Sequence, residues 1–475
     1  MNQIVLNKRY FIVTLFLLLL FQGALYAQNK ISKNLLQEDL DILKVNLERM
    51  HPGLYKYSSA EEIEAWFTNT KKNLKDTMTA YEFYKAVAPL NSVIKNGHTK
   101  VNYPSFEGKF NLIPIRIYKD NDSYYILESF NEAYQELIGR EITAINDISM
   151  QDIFKELIKN RTRDGENLTF PSDKLMYFFS LDYSLQFGSS PSYKIKLVDQ
   201  EKLISLKGML LTNEVIKKHY SRFSTFDKVD FKIKDSIAIL KVPVFAKFIL
   251  KKSNYRKVFR DAFEEISIKN INHLIIDVRG NLGGDTGPTL ELISYLYDKD
   301  FRFYSNILLK KNKIDDKQYY KKQGVFWLNL FSWVKLKKVK NSYYSLRNDE
   351  GMTLYSPQKK VYNGNLYILT NGTSFSATGE FTSFIKDHHK EVVFIGEEVG
   401  GNKNQNTSGE SFTITLPNSK LRVDIPVVLW VMNIKEANNG HGVVPDYPVR
   451  NTIQDELDGR DRVMEFTLDL IQKPQ

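Results

Sequence analysis

The sequence predicts an α/β protein whose C-terminal half is built on a mostly parallel sheet. From about Lys228 onward, short apolar strands alternate with amphipathic helices, and such alternation favours parallel strands joined by helical crossovers. The predicted strands are Ile237–Val242, His273–Val278, Leu366–Leu369 and Val392–Ile395, and the helices between them are Tyr255–Ile268, Gly287–Tyr297 and Ser376–His389. A helical N-terminal region and a β-rich middle segment complete the prediction. We therefore divide the chain into residues 1–27, 28–105, 106–210 and 211–475.

The first 27 residues have the composition of a secretory signal. Lys8 and Arg9 precede an apolar run from Tyr10 to Phe21, and small residues follow up to Ala27. A charged start, a short apolar core and a small residue before the cleavage point predict export, with cleavage after Ala27. The run is shorter than the ~20 apolar residues that span a bilayer, which disfavours the alternative of an uncleaved anchor. We expect the mature protein in the periplasm or the cell envelope.

Residues 28–105 are predicted to form a helical region. Apolar residues recur at near-helical spacing from Leu36 to Met50, and Ala60–Leu74 and Ala80–Ile94 repeat the pattern. Pro52-Gly53 separates the first two helices, because this dipeptide is typical of turns.

Residues 106–210 change to short strands with one helix, Met150–Lys159. The strands are Leu112–Tyr118, Tyr124–Ser129, Glu141–Ile145, Tyr193–Leu197 and Leu203–Leu206. This order resembles a PDZ-like peptide-binding module, and a generic β-rich linker domain is the alternative. The segment near Phe110 has no Gly-Leu-Gly-Phe-type carboxylate-binding loop, so recognition of a free C-terminus is not indicated.

Composition excludes several classes of chemistry. The chain has no cysteine, which rules out disulfides, a thiol nucleophile and thiolate metal sites. It has no His-Glu-x-x-His motif, so we expect neither a metal nor another cofactor.

An aromatic-basic insertion is predicted at residues 305–350. Its aromatic residues are concentrated in Val325–Val334 between two lysine clusters, whereas nucleic-acid grooves interleave the two residue types. We therefore expect no nucleic-acid partner. The insertion and the net charge of +10 allow contact with a membrane surface or a substrate, and a solvated insertion is the alternative. Nothing in the sequence indicates an oligomeric state.

A serine-bearing corner follows the third predicted strand. The segment Asn371-Gly-Thr-Ser374-Phe-Ser376-Ala377 joins that strand to a helix, where a serine stands at the positive end of the helix dipole. This placement makes Ser376 the candidate nucleophile and the Ala377 N–H a candidate oxyanion donor. Ser374 is the rival nucleophile, and a helix-capping role is the structural alternative for either serine.

A glycine-rich corner follows the second predicted strand, at Arg279-Gly280-Asn281-Leu282-Gly283-Gly284. Backbone N–H groups of Gly283 or Gly284 are candidate partners for an oxyanion. The corner lacks the lysine and hydroxyl residue of a phosphate-binding loop, which excludes nucleotide binding.

A serine nucleophile needs a base, because its free hydroxyl is hardly nucleophilic at neutral pH. Among seven histidines, His98 stands out in Asn96-Gly97-His98-Thr99, a glycine turn between a predicted helix and a strand. His441, in Asn438-Asn-Gly-His441-Gly442, has a similar claim.

These motifs, in this order, resemble the tail-specific (C-terminal-processing) serine peptidase family, in its branch with the tricorn core and the retinoid-binding repeats. The resemblance also includes Gly396-Glu-Glu-Val-Gly-Gly401 and Gly442-Val-Val-Pro-Asp446. It implies a crotonase/ClpP-like ββα core, a peptide or protein substrate and an acyl-enzyme mechanism. Ser376 matches the nucleophile, and Gly283 or Gly284 with Ala377 match the oxyanion hole.

The resemblance leaves the base and the acid to be assigned. The lysine base of the bacterial processing peptidases is replaced by Asn402, with Lys403 one residue late, so the tricorn-like arrangement with His98 is favoured. The acid that orients the histidine corresponds to Asn439 by position, and Glu436 is the nearest carboxylate. An extra residue in Ser376-Ala-Thr-Gly-Glu380 is expected to lengthen the turn into the helix. The alternatives are a Ser-Lys dyad using Lys403, a catalytically inactive peptide- or ligand-binding relative, and an esterase.

Overall fold

The computed structural model describes most of the chain. The described residues are 30–106, 110–221, 228–250, 254–311, 319, 336–339, 343–346, 349–407, 411–435 and 440–473. The predicted signal, most of the aromatic-basic insertion and Glu436 lie outside them. Within the described residues, no helix combines the length and the apolar character needed to cross a membrane.

The N-terminal region is a helical layer that ends in a short strand. Its elements are β1 (Ile31–Ser32), α1 (Lys33–Met50), α2 (Ala60–Asn73), β2 (Thr77–Met78), α3 (Ala80–Val87), α4 (Leu90–Ile94) and β3 (Lys100–Val101). Ser59 and Thr79 each form a capping box with a glutamate three residues later, which sets the starts of α2 and α3. β3 pairs with β22 (Arg422–Pro426), so the N-terminal region is joined to the C-terminal part of the chain.

The middle region forms a separate small core around a four-stranded sheet, ordered β10-β9-β7-β8, and a β-hairpin of β5 and β6. Its elements are β4 (Asn111–Leu112), β5 (Ile115–Asp120), β6 (Ser123–Ser129), β7 (Ile142–Ile145), β8 (Ile148–Ser149), α5 (Met150–Leu157), α6 (Thr169–Phe187), β9 (Ser192–Leu197), β10 (Gln200–Lys207), β11 (Met209–Leu210) and α7 (Asn213–His219). Short 3-10 helices occupy Glu132–Leu137 and Ile158–Asn160.

The C-terminal part is built on a six-stranded sheet in the order β12-β13-β14-β18-β19-β24, in which only β12 is antiparallel to its neighbour. Its strands are β12 (Asp230–Lys234), β13 (Ile237–Lys241), β14 (His273–Asp277), β18 (Asn365–Thr370), β19 (Val393–Gly396) and β24 (Tyr447–Pro448). The helices are α8 (Lys247–Leu250), α9 (Tyr255–Ile268), α10 (Thr286–Ile293), α11 (Ala377–His388), α12 (Ile453–Asp458) and α13 (Arg462–Gln472). The predicted, mostly parallel sheet is confirmed.

Two smaller sheets flank this core. The first has the order β16-β17-β15-β23-β20, and the second has the order β21-β22-β3. Their strands are β15 (Tyr304–Leu309), β16 (Leu336–Lys338), β17 (Tyr344–Leu346), β20 (Gln405–Asn406), β21 (Ser411–Thr415), β22 and β23 (Val428–Met432), and a 3-10 helix spans Glu350–Met352. The large sheet buries one face against α9 to α11 and the other against α13.

Several elements differ from the prediction, and two of them have a clear physical reason. The helix predicted over Ala80–Ile94 is split into α3 and α4, because Pro89 has no N–H to donate and its ring disfavours helical geometry before it. The 19-residue helix α6 was missed. Most of its residues between Phe170 and Leu185 are buried, so it has no polar face and shows no amphipathic period in the sequence.

Candidate active site

The serine corner joins strand β18 to helix α11. Ser376 is the residue before the helix, with φ 58° and ψ −124°, a conformation that L-residues rarely adopt. Its side chain makes no capping hydrogen bond to the helix. The helix begins at Ala377, directly after Ser376. The strained backbone therefore holds the Ser376 hydroxyl at the N-terminal end of the helix, where it does not act as a helix cap.

Ser374 and Ser376 have different roles. Ser374 is completely buried, and its Oγ donates to Val278 O at 2.9 Å and accepts from Asn371 N at 3.1 Å. These bonds tie the serine corner to the end of strand β14. Ser376 is half-buried, and its hydroxyl is not engaged in this way. The geometry favours Ser376 as the nucleophile and gives Ser374 a structural role.

The glycine corner packs directly against the serine corner, because β14 and β18 are neighbouring parallel strands. Asn281 is fully buried and connects the two corners: its carbonyl accepts from Phe375 N at 3.0 Å, and its Nδ2 donates to Val242 O at 2.9 Å. Gly283 has φ +95°, and a Cβ atom built on it would lie 2.7 Å from Ala377 N and 2.8 Å from Ser376 Cβ. Only a glycine fits at this contact.

The corners differ in which N–H groups remain available. Gly283 N donates to Asn281 Oδ1 at 2.9 Å, so its hydrogen is already used. Within the described part of the chain, no acceptor is found for the N–H of Gly284 or of Ala377, and the latter is one of the groups that a helix N-terminus leaves unpaired. Two such donors beside a serine are suited to stabilising the oxyanion of acyl transfer.

The ring of His98 contacts the serine corner at Phe375. Its loop runs from α4 to β3, and its ring stacks on Phe375 with centroids 4.8 Å apart. Gly97 allows this approach, since a Cβ atom there would lie 2.6 Å from Phe375 Cζ. The structure thus places the histidine loop against the residue that precedes Ser376, although 278 positions separate His98 from Ser376 in the sequence.

Burial lowers the pKa of His98 to about 4, so the imidazole is neutral at pH 7 and able to accept a proton. Its Nδ1 is buried and has no hydrogen-bond partner among the described residues. Gly97 N donates to Asp164 Oδ1 at 2.8 Å, and burial raises the pKa of that carboxyl to about 6. Asp164 carries no local signal in the sequence, because it lies in an irregular loop of the middle region.

The other predicted residues have different surroundings. Glu436 and Asn439 lie outside the described residues. Asn402 is buried and its Oδ1 accepts from Asn404 N at 3.0 Å, so its side chain closes a turn. Lys403 N donates to His441 O at 3.3 Å, and His441 Nδ1 lies 3.1 Å from Glu398 Oε1.

A buried carboxyl lies one helical turn after Ser376. Glu380 is 3% exposed, and it accepts from Tyr304 OH at 2.7 Å and from Asn406 Nδ2 at 3.0 Å. Burial raises its pKa to about 7. Glu380 anchors helix α11 to strands β15 and β20, a role that the sequence reasoning missed.

Comparisons with known proteins identify a family and a fold. The family model for peptidase family S41 matches residues 236–449, which include both corners. No curated protein sequence matches the chain significantly.

Among solved structures, mature CPAF is similar over 92% of this chain and 96% of its own, with 14% identity and a TM-score of 0.63. Mature CPAF complexed with lactacystin is similar over 92% and 97%, with 14% identity and a TM-score of 0.65. At this identity the likeness shows a shared fold of mixed α/β content. Residues 236–449 thus match peptidase family S41, and the resemblance to a tail-specific peptidase family that the motifs predicted is confirmed over that part of the chain.

Proposed function

We propose that the protein is an exported endopeptidase that cleaves peptides or proteins through a Ser-His acyl-enzyme mechanism. The observation that carries the proposal is the corner at Ser376. Ser376 has a strained backbone directly before a helix, beside the available N–H of Ala377 and in contact with the glycine corner at Gly283, and the ring of the preceding residue stacks on a neutral histidine.

In the proposed reaction, His98 accepts the proton of Ser376 Oγ as the oxygen attacks the peptide carbonyl. The N–H groups of Gly284 and Ala377 donate to the oxyanion that forms. The C–N bond then breaks, and His98 returns the proton to the leaving amine. Water then attacks the acyl-enzyme ester by the same steps, which releases the carboxylic acid of the peptide and restores the serine. Removing one oxyanion donor typically lowers kcat by a factor of ~10²–10³.

His98 is favoured over Lys403 as the base. At the position of the family's lysine, the Asn402 side chain is committed to a turn, whereas the His98 ring contacts the serine corner itself. We assign the third catalytic position to Glu436 on the family resemblance, as the carboxylate nearest in the sequence to the family's acid.

The remaining features belong to the same proposal. We infer a signal peptide at residues 1–27 and a location in the periplasm or cell envelope. We also infer a PDZ-like module at 106–210, a crotonase/ClpP-like core within 211–475, and an aromatic-basic insertion at 305–350 that contacts substrate or a membrane surface.

The experiment is covalent labelling of the purified protein with a fluorophosphonate probe. We expect labelling that is lost in Ser376→Ala and His98→Ala and retained in Ser374→Ala and Lys403→Ala. Labelling that survives His98→Ala but not Lys403→Ala would replace the base by Lys403. A protein that binds peptides without labelling would be the inactive relative, which the substitution of the family's lysine by Asn402 also allows.

The pH dependence of labelling separates the two bases. A histidine with a pKa of about 4 must lose its proton to act, so the labelling rate should rise with pH through about 4 and then stay level. A lysine base would instead keep the rate rising far above neutrality, because an ordinary lysine pKa is about 10.4.

A further inference from the structure

A chain of buried polar side chains extends from the histidine loop into the N-terminal helices. His51, at the end of α1, is completely buried. Its Nε2 lies 2.8 Å from Thr99 Oγ1, and its Nδ1 accepts from Gly53 N at 3.0 Å. Neither His51 nor Thr99 belongs to the proposed reaction, yet Thr99 is the neighbour of His98.

The directions of these bonds follow from their partners. The Gly53 N–H needs a lone pair on Nδ1, so His51 carries its hydrogen on Nε2 and donates it to Thr99 Oγ1. The Thr99 hydroxyl then donates to Asn96 Oδ1 at 2.9 Å. Burial, followed by the positive charge of Lys310, lowers the pKa of His51 to about 3, so His51 stays neutral at neutral pH.

Asn96 is the centre of the histidine loop. Its Oδ1 accepts from the backbone N–H groups of His98 at 3.2 Å and Thr99 at 2.9 Å, besides the Thr99 hydroxyl. Its Nδ2 donates to Thr407 Oγ1 at 2.6 Å. The backbone of the proposed base is therefore held by one side chain, which is itself held from two distant parts of the sequence.

Thr407 connects this chain to the nucleophile. The preceding residue, Asn406, donates to Glu380 Oε1 on helix α11, which starts immediately after Ser376. The turn after His51 packs against the same threonine, because a Cβ atom built on Gly53 would lie 3.3 Å from Thr407 Cγ2. The segment Asn406-Thr407 thus contacts both the nucleophile helix and the histidine loop.

We propose that His51, Thr99, Asn96 and Thr407 are positioning residues that hold the backbone of His98 at a set place relative to Ser376. The inference rests on the proposed function of His98 as the base. A misplacement of about 1 Å in an active site lowers the rate by about 10²-fold, so the loss of one bond in this chain should be visible in the chemical step.

Thr99→Val tests the proposal, because valine has the shape of threonine without the hydroxyl, and Thr99→Ser restores the hydroxyl. With a fluorophosphonate probe, we expect the maximal labelling rate of Thr99→Val to fall about tenfold to a hundredfold, while the half-saturating probe concentration stays the same. The pH midpoint of labelling should also move in Thr99→Val, and Thr99→Ser should return both values towards those of the unaltered protein.

His219→Gln is the matched control. His219 is also a buried histidine, its Nδ1 lies 2.9 Å from Glu128 Oε1, and it belongs to the middle region. We expect His219→Gln to lower the Tm without changing labelling. Thr407→Val interrupts the chain at its other end and replaces Thr99→Val as the test variant if the latter does not fold.

The outcomes separate this inference from the proposed function. If Ser376→Ala and His98→Ala abolish labelling but Thr99→Val and Thr407→Val label as the unaltered protein does at every pH, the network has no positioning role. If His98→Ala labels at the full rate, or the unaltered protein does not label, the proposed function fails and this inference fails with it.

Discussion

The two sides of the candidate site are built in different ways. The nucleophile side, made of the serine and glycine corners, is held mainly by backbone geometry: Ser376 at positive φ, Gly283 against Ala377 N, and strands β14 and β18 in parallel register. The histidine side is held by side chains. Asn96, which fixes the His98 loop, donates to a threonine 311 positions away in the sequence.

This difference matches where the family likeness falls. The matching residues, 236–449, include the nucleophile side, whereas His98 and His51 precede them. Backbone corners depend on a few local residues, so short motifs suffice to encode them. The histidine side instead depends on the docking of the N-terminal helices, so it should be the more sensitive side to changes far from the site.

The largest effect on labelling is expected when a methyl group is added at Gly283, on the nucleophile side. In Gly283→Ala the new methyl group would meet backbone atoms, Ala377 N and Phe375 O, both at 2.7 Å, and the residue would also be strained at φ +95°. We expect the fluorophosphonate labelling rate to fall by about 10³-fold, because the N–H of Ala377, the proposed oxyanion donor, is displaced.

Gly280→Ala is the control for that variant. Gly280 lies in the same corner at φ +76°, but a Cβ atom there has no neighbour within 4 Å. The Gly280→Ala variant should lose about 1 kcal/mol of stability through backbone strain alone, and it should still be labelled by the probe. Equal labelling losses in both variants would show that strain, and not contact with the serine corner, is responsible.

The buried carboxyl of the nucleophile side makes stability depend on pH. Glu380 has a pKa raised from 4.5 to about 7, so its contribution to stability is fully present below pH 4.5 and is lost as the pH rises through 7. Glu380→Gln cannot ionise. We expect its free energy of unfolding, relative to the unaltered protein, to rise by about 3 kcal/mol between pH 4.5 and 8, measured by denaturant titration. A difference that does not vary with pH would mean that the pKa of Glu380 is the same in the folded and the unfolded protein.

On the histidine side, a methyl group added at Gly97 should reduce labelling less. In Gly97→Ala the methyl group would meet the end of the Phe375 ring at 2.6 Å and the Asp164 carboxylate at 2.9 Å, which are side-chain atoms that are able to move. We expect the labelling rate to fall by up to about 10²-fold through displacement of His98, with a smaller loss than in Gly283→Ala. If Gly97→Ala lost more labelling than Gly283→Ala, or had a lower Tm, the histidine side would be the more tightly packed of the two.

The same distinction explains what the sequence could predict. Ser376 and Gly283-Gly284 could be predicted as candidates because a strand, a turn and a helix leave a local pattern of apolar and small residues. The sheet was predicted for the same reason. Helix α6 was missed because a helix buried on all sides carries no period, and α3 and α4 were joined because the effect of Pro89 was overlooked.

The residues that hold the His98 loop in place could not be predicted in this way. Asn96 was visible only as part of a turn, and nothing near it in the sequence points to His51, Asp164 or Thr407. These contacts arise when the N-terminal helices, the middle region and strand β20 meet, so they depend on the whole fold.

The smallest effect is expected from Gly379→Ala, which tests whether helix α11 is as sensitive to substitution as the serine corner before it. Gly379 lies inside helix α11, three residues after Ser376, and a Cβ atom there would have ordinary contacts, the nearest being Gly401 Cα at 3.6 Å. Since alanine is favoured over glycine in a helix interior, Gly379→Ala should raise the free energy of unfolding by about 0.5–1 kcal/mol and leave labelling unchanged. A loss of labelling would show that the strained corner needs a flexible helix behind it. An unchanged labelling rate would mean that only the corner residues themselves do not tolerate a larger side chain, because their backbone atoms are already in contact.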